Sequence, residues 1–500
     1  MKTINQKFEN LFIFEMANNH QGDVKHGLKI ISEMGKIVKE YKLNAAVKLQ
    51  YRNLDTFIHP NELNNKDNKH VERFLSTKLK NDEFKILIDA IKAEGMVTVC
   101  TPFDESSVDL IVNHEIDIIK IASCSADDWP LITKIVSANK TVIASTGGLQ
   151  LFEIDNLVSY LTNRLDEVGI LHCVGIYPTP NKYQNLRFIN KLISRYDNVT
   201  IGYSGHEDPD NYDVVKIAAA CGARIFERHV GVETDTIKLN KYSMNPSQVR
   251  NWIQSHLNAE EILGEENKIM SEPEKESLLS LKRGVFVNKA IPSGEQLKEA
   301  DVFFAFPISK GQLSSGEFGK VRAKYLTSKE YKLNEGVYED TTLDPYHRVR
   351  KIIHEAKGWI NENNIILGDA YDVELSHHYG IENFEKFGCL IVNVLNREYC
   401  KKIIVVYPGQ SHPEQKHLKK EETFHILNGE LTVCLNGVDK VLKKGDVQVI
   451  ERGVTHSFSS DKGAILEEIS TTHHRDDSFY TDPTIAQQDP MQRKTIVGKF

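Results

Sequence analysis

The chain has 500 residues, 40% of them hydrophobic and 26% charged, a length that exceeds one hydrophobic core and predicts two to four soluble domains. Its net charge of −8 and the lack of a dense Lys/Arg run argue against a nucleic-acid partner. No apolar stretch approaches the roughly 18 residues of a membrane span. The amino terminus lacks a signal-peptide core and the seven cysteines are scattered, so a cytoplasmic protein with reduced thiols is expected.

Up to about residue 268, short β-rich runs alternate with amphipathic stretches. Strands are predicted at 11–17, 45–50, 97–102, 118–122, 141–146, 168–174, 200–204 and 223–230, with helices at 26–41, 82–93, 152–164 and 246–263. Such alternation implies a parallel sheet covered by helices. Eight units over this length predict a (β/α)8 barrel spanning 1–268, and no glycine-rich dinucleotide fingerprint follows the first strand.

The pattern then changes. Residues 275–342 read as a small β-rich module, with a strand from Arg283, a Pro-Ser-Gly turn and a weaker repeat of the theme at 321–340. From 345 to 500, short strands punctuated by Gly and Asn turns predict a sandwich or jelly roll, and the last 25 or so residues read as an irregular tail. The whole is an α/β barrel followed by two β-rich domains.

Active sites of such barrels lie at the carboxyl ends of the strands. Those positions hold Glu15, Asn19 and His20, Lys48 and Gln50, Thr101, Lys120 and Ser123, Ser145 and Thr146, Tyr177, Ser204 and His206, and Arg228 with His229. Lysines and hydroxyls suit phosphate or carboxylate oxygens. Paired neutral imidazoles, His206 and His229, suit a divalent metal with open positions. A lysine inside a strand points to function because an unpaired buried ammonium is costly. Plainer readings stay open: 205–208 also reads as a polar loop, and Ser145-Thr-Gly-Gly also reads as a turn.

Eight motifs in order, Glu15-Met-Ala-Asn-Asn-His-Gln-Gly, Ala46-Val-Lys-Leu-Gln, Thr101-Pro-Phe-Asp, Lys120-Ile-Ala-Ser, Ala144-Ser-Thr-Gly, Leu171-His-Cys with Tyr177-Pro-Thr-Pro, Gly202-Tyr-Ser-Gly-His and Glu227-Arg-His, resemble those of the sialic acid synthase family. The module from Arg283 to Phe306 looks like the antifreeze-like (SAF) domain of those synthases. The resemblance implies condensation of phosphoenolpyruvate with a hexosamine-like aldose, giving a sialic acid-like 3-deoxy-2-keto sugar acid and phosphate. It implies Mn²⁺ or Mg²⁺ on His206 and His229 as Lewis acid, a phosphate and carboxylate cradle of Lys48, Thr101, Lys120, Ser123, Ser145, Tyr177 and Ser204, and Gln50 as a further substrate-binding residue. By the same resemblance Glu15 sits beside the acceptor for proton transfer or hydroxyl binding, and a domain-swapped homodimer is expected.

The chain departs from the family pattern on the acceptor side. Leu239 stands near an acceptor-binding Asp position, although Lys241 and Ser243 persist and Lys241 remains a substrate-binding candidate. Gly175 replaces an Asn, Gly205 replaces the Asp before the metal histidine, and Phe306-Pro-Ile replaces the SAF domain's Arg turn. These changes imply the family reaction on an altered sugar.

The segments 415–429 and 445–456 resemble the two cupin motifs, and Glu374-Leu-Ser-His-His-Tyr-Gly resembles sugar-isomerase-like cupins. His417, Glu422 and His456 stand at metal-ligand positions, with Gln415 in place of the first His, so a second metal is an open expectation beside a metal-free sugar-binding or structural domain. Two rival functions follow from the same residues: a metal-dependent barrel aldolase using free pyruvate, and a non-catalytic sugar-binding protein.

Overall fold

The structure is a computed structural model that describes residues 6–63, 67–319, 325–338 and 345–500. The chain divides into two compact units, Met1–Lys268 and Ile269–Phe500.

The first unit is a closed barrel of eight parallel strands: β1 Leu11–Glu15, β2 Ala45–Tyr51, β3 Val97–Pro102, β4 Ile118–Ile121, β5 Thr141–Ser145, β6 Val168–Cys173, β7 Thr200–Gly205 and β8 Ile225–His229. Helices flank the barrel where the periodicity predicts them, as at Val24–Tyr41, Asn81–Ala93, Leu151–Thr162 and Pro246–Leu263. Local chemistry sets their ends. The Asp23 side chain caps the first by accepting from the Lys25 N–H at 2.8 Å, and Asn245 caps the last just ahead of a proline at its first position.

Because side chains alternate along a strand, every second residue enters the barrel. At the amino-terminal end these are apolar: Leu11, Ile13, Ala46, Val99, Ile118, Ile143, Leu171 and Ile225 form one buried cluster. Two residues further on, the same alternation places Glu15, Lys48, Thr101, Lys120, Ser145, Ser204 and Glu227 above that floor, all buried. The outward-facing residues pack on the helices in a larger core that includes Phe12, Phe14, Val47, Ile119, Val142 and Phe226. An apolar floor under a polar mouth is therefore written into the alternation of eight short strands.

The second unit begins with a helix, Glu272–Leu279, and two two-stranded pairings, Gly284–Val287 with Val302–Ala305 and Gln296–Leu297 with Tyr325–Leu326. Val285, Val287, Leu297, Val302, Tyr325 and Tyr331 are among its core residues. The weaker repeat expected at 321–340 lies partly outside the described residues.

The rest is a curled antiparallel sheet built on strands Asp372–Ser376, Cys389–Asn396, Tyr399–Val406, Gln410–Lys416, Glu422–Leu435, His456–Ser460 and Ala464–Thr471, as expected of a cupin jelly roll. A helix that the sequence reading did not single out, Pro345–Glu362, packs Ile352, Ala356 and Ile360 on one face of that sheet. Their spacing of four is that of a helical stripe. The carboxyl end corrects another expectation. Lys494–Gly498 is a strand paired antiparallel with Asp372–Ser376, so the last residues are part of the sheet and not an irregular tail. The sequence Lys494-Thr-Ile-Val-Gly is too short for its β-character to stand out before its partner is known. No helix among the described residues is long and apolar enough to cross a membrane.

Candidate active site

Parallel register brings the barrel's polar residues together. Glu15 lies opposite Lys48 on one side and His229 on the other. The Lys48 ammonium sits between two carboxylates, 2.5 Å from Glu15 and 2.8 Å from Glu227. Glu15 also accepts from the Ala17 N–H at 2.7 Å, and Ser204 donates to Glu227 at 2.8 Å. Lys120 donates to Ser145 Oγ at 2.6 Å and to the Ile121 carbonyl at 2.9 Å. Glu227 appears in the last barrel motif but received no role from sequence reasoning. Its place two residues before His229, on the same inward face, is the signal that could have found it.

Burial and neighbours split the charges of this network. Burial raises the Glu15 pKa, with Lys48 opposing it and Glu227 adding to it. Burial also works against ionisation of Glu227, but Lys120 and Lys48 together hold its carboxyl at about 2. Burial alone would lower Lys48, yet the two carboxylates outweigh it and keep the ammonium charged above its usual range. Lys120 is pushed down to about 8 by burial, against the pull of Glu227. Two carboxylates flank one lysine, and their surroundings drive them apart, Glu227 held as an anion and Glu15 raised toward its protonated form.

The two histidines meet at the mouth, ring centroids 5.4 Å apart. Burial lowers His206 to about 4, and burial together with His206 holds His229 well below the usual imidazole range, so both rings are neutral. His206 Nδ1 hydrogen-bonds the Val174 carbonyl at 3.2 Å, which leaves Nε2 as its lone-pair edge. Neutral rings, that of His206 with a fixed tautomer, fit a divalent cation. Tyr177 packs on His206 at 4.1 Å and Tyr242 on His229 at 5.1 Å, an aromatic wall in which only Tyr177 was expected.

Other expected residues make contacts of their own in the barrel. Ser123 Oγ accepts from the Gly147 N–H at 3.1 Å and props the turn after β5. Gln50 accepts from Arg52 at 3.0 Å, and the Arg52 guanidinium lies 3.6 Å over the Phe103 ring. Thr101 is buried opposite Gln50 in register. Asn19 donates to the Val230 carbonyl at 2.8 Å and to Ser243 Oγ at 3.1 Å, pinning the loop after β8. His20 Nδ1 accepts from the Gly22 N–H at 3.1 Å. Lys241 is exposed and stays apart from the buried network. Arg228 alternates away from the mouth and forms a fully buried ion pair with Glu207. That pair gives Gly205 a physical reason: a Cβ there would collide with the Glu207 carboxylate and the Tyr203 ring.

In the second unit His417, Glu422 and His456 bring one ligand atom each to within 4.8 Å of one another, all buried. His417 Nδ1 is held by the Asp477 carbonyl at 2.5 Å and His456 Nδ1 by the Val454 carbonyl at 3.1 Å, so both Nε2 atoms face Glu422. These Nε2 atoms, Glu422 Oε2 and Gln415 Oε1 are buried without a hydrogen-bond partner among the described residues. Around them runs an ion-pair chain unseen from sequence: Lys420 contacts Glu422 and lies 3.2 Å from Glu468, which lies 2.9 Å from Lys402.

Residues 38–268 match the NeuB family and residues 402–471 a cupin domain. The chain is 26% identical to the N,N'-diacetyllegionaminic acid synthase of Campylobacter jejuni, over 66% of this chain and 99% of that one. It is also 26% identical to the pseudaminic acid synthase of the same organism, over 58% and 85%. A solved structure described as spore coat polysaccharide biosynthesis protein E from Chromobacterium violaceum shares 44% identity over 66% of this chain and 98% of that one, with a TM-score of 0.64. The chain belongs to the NeuB family, the sialic acid synthases, and is a transferase-type enzyme with a cupin domain toward its carboxyl end.

Proposed function

We propose that the barrel condenses phosphoenolpyruvate with a hexosamine-like aldose to give a sialic acid-like 3-deoxy-2-keto sugar acid and phosphate. The observation that carries the reading is the convergence of two buried lysines, Lys48 and Lys120, with a split pair of carboxylates and two neutral imidazoles at one barrel mouth. Kinship with synthases named for legionaminic and pseudaminic acids supports the product class. The changes at 175, 205, 239 and 306 make the acceptor the variable part.

In this reading Lys48, Lys120 and the hydroxyls of Ser145 and Ser204 bind the phosphate and carboxylate of phosphoenolpyruvate. Glu227, fixed as an anion, holds Lys48 and Ser204 in place. Tyr177 and Tyr242 close one side of the mouth and keep water from the imidazoles. Carbon 3 bonds to the aldehyde carbon, and the aldehyde oxygen takes a proton for which the Glu15 carboxyl is the donor at hand. Water adds at carbon 2, and phosphate leaves with the bridging oxygen. His206 and His229 would hold a divalent ion, Mn²⁺ or Mg²⁺, whose Lewis acidity polarises the acceptor carbonyl. The same kinship suggests that the module around 284–305 is the family's antifreeze-like domain and that the protein is a cytoplasmic homodimer.

The test is phosphate release from phosphoenolpyruvate with a panel of aldoses and Mn²⁺. The paired change His206→Ala/His229→Ala is expected to lower the rate at least about 10³-fold, some 4 kcal/mol of barrier. An unchanged rate rejects the role given to the two histidines.

A further inference from the structure

We propose that the interior of the cupin domain is a second small-molecule site that takes an anionic, polyhydroxylated sugar. Only the choice of sugar source, the acid that the first barrel releases or a phosphorylated aldose, rests on the function proposed above.

The room is present. A cavity of about 980 Å³ opens between the faces of the sheet, the size range of ligand pockets. Gln415, His417 and Glu422 line it, each with a buried, unpartnered atom, and the unpartnered His456 Nε2 lies just behind, 3.1 Å from Glu422. Buried polar atoms left without partners are expensive, and the three from His417, Glu422 and His456, within 4.8 Å of one another, fit a divalent cation better than they fit water or one another.

Charge then selects the ligand. Glu422 and Glu468 are both ion-paired: Lys420 contacts Glu422 and lies 3.2 Å from Glu468, and Lys402 lies 2.9 Å from Glu468. Two lysines against two carboxylates leave this buried group of four side chains neutral before any cation enters. A dication leaves two positive charges uncompensated in a buried space. Of the other charges on the lining, Arg475, Lys494 and Lys499 are matched in number by Asp372, Glu374 and Asp489, and the half-buried Arg493, 4.8 Å over the Tyr480 ring and with no carboxylate partner among the described residues, adds a third positive charge. Uncompensated buried charge is costly, and a carboxylate or phosphate on the ligand supplies the missing anion. The groups around Tyr480 recognise hydroxyls. The Tyr480 hydroxyl bonds His378 Nε2 at 2.9 Å, while His378 Nδ1 and His473 Nδ1 are buried and unpartnered. These are groups that can donate to or accept from a sugar hydroxyl but cannot balance charge.

Isothermal titration calorimetry on the full chain tests the proposal. The protein carries His206→Ala/His229→Ala, is saturated with Mn²⁺, and is titrated with N-acetylneuraminate, mannose 6-phosphate and mannose. At least one charged probe is expected to bind at one site at least tenfold more tightly than mannose. That preference should fall at least tenfold in Arg493→Met and in Glu422→Gln. Which charged probe binds identifies the sugar source. Mannose binding as tightly as both charged probes, no binding by either of them, or unchanged affinity in Arg493→Met overturns the proposal. Arg493 is only half-buried, so its variant reads the site even where Glu422→Gln fails to fold. The barrel pair is already disabled, so the result stands apart from whether the barrel condenses phosphoenolpyruvate.

Discussion

The two barrels of this chain solve one problem differently. Each buries lysines against glutamates beside two histidines. The parallel barrel shares one lysine, Lys48, between two carboxylates, Glu15 and Glu227. The antiparallel barrel gives two carboxylates, Glu422 and Glu468, two lysines. The first arrangement leaves one carboxyl able to titrate, which suits proton transfer. The second leaves charges matched, which suits holding a site open for a ligand that brings its own charge.

The sharpest way to break this comparison is to remove one lysine from each. Lys48→Met leaves Glu15 and Glu227 facing one another without their shared cation and is expected to cost about 3–5 kcal/mol. Lys402→Met leaves Glu468 with Lys420 still at 3.2 Å, so the loss should be smaller by about half. Urea unfolding midpoints read both; equal losses would erase the distinction between shared and matched charge.

A smaller effect comes from pH. Lys120 binds an anion only as an ammonium, and burial has brought its pKa to about 8. kcat/KM for phosphoenolpyruvate is therefore expected to be full below that pH and to fall about tenfold per unit above it, as the protonated fraction does. Lys120→Arg keeps its charge and should move that limb above pH 10. A limb that stays near 8 in the variant belongs to another group.

The smallest effect concerns the neighbour of His206. Gly205→Ala pushes a methyl into the Glu207 carboxylate and Tyr203 ring, an overpacking worth about 1–3 kcal/mol. It should shift the thermal midpoint downward and weaken Mn²⁺ binding through His206. No shift would mean that the Glu207–Arg228 pair does not fill the space of the lost Asp.

Much of the first barrel was legible because its strands are short and its inward residues fall at every second position. The polar ones stand out after an apolar run, as Lys120 does after Ile118 and Ile119. Glu227 was passed over because His229, two places on, carried the stronger signal, and Arg228 was grouped with the mouth although alternation turns it toward Glu207. The cupin's charged chain was hidden for a different reason. In Cys400-Lys-Lys-Ile-Ile-Val-Val the residues of both faces are apolar further along, so the sequence does not say which lysine points inward. The register decides it: Lys402 lies opposite Glu468 and pairs with it inside, while Lys401 lies opposite Ile469 and reaches diagonally to Glu467 outside.

The most direct measurement follows phosphorus and product together. With Mn²⁺, phosphoenolpyruvate and an N-acylated hexosamine, ³¹P NMR and mass spectrometry should show one inorganic phosphate for each 3-deoxy-2-keto sugar acid formed. Phosphate released at the same rate without any aldose, or a sugar acid formed from pyruvate without phosphate release, would contradict the condensing barrel.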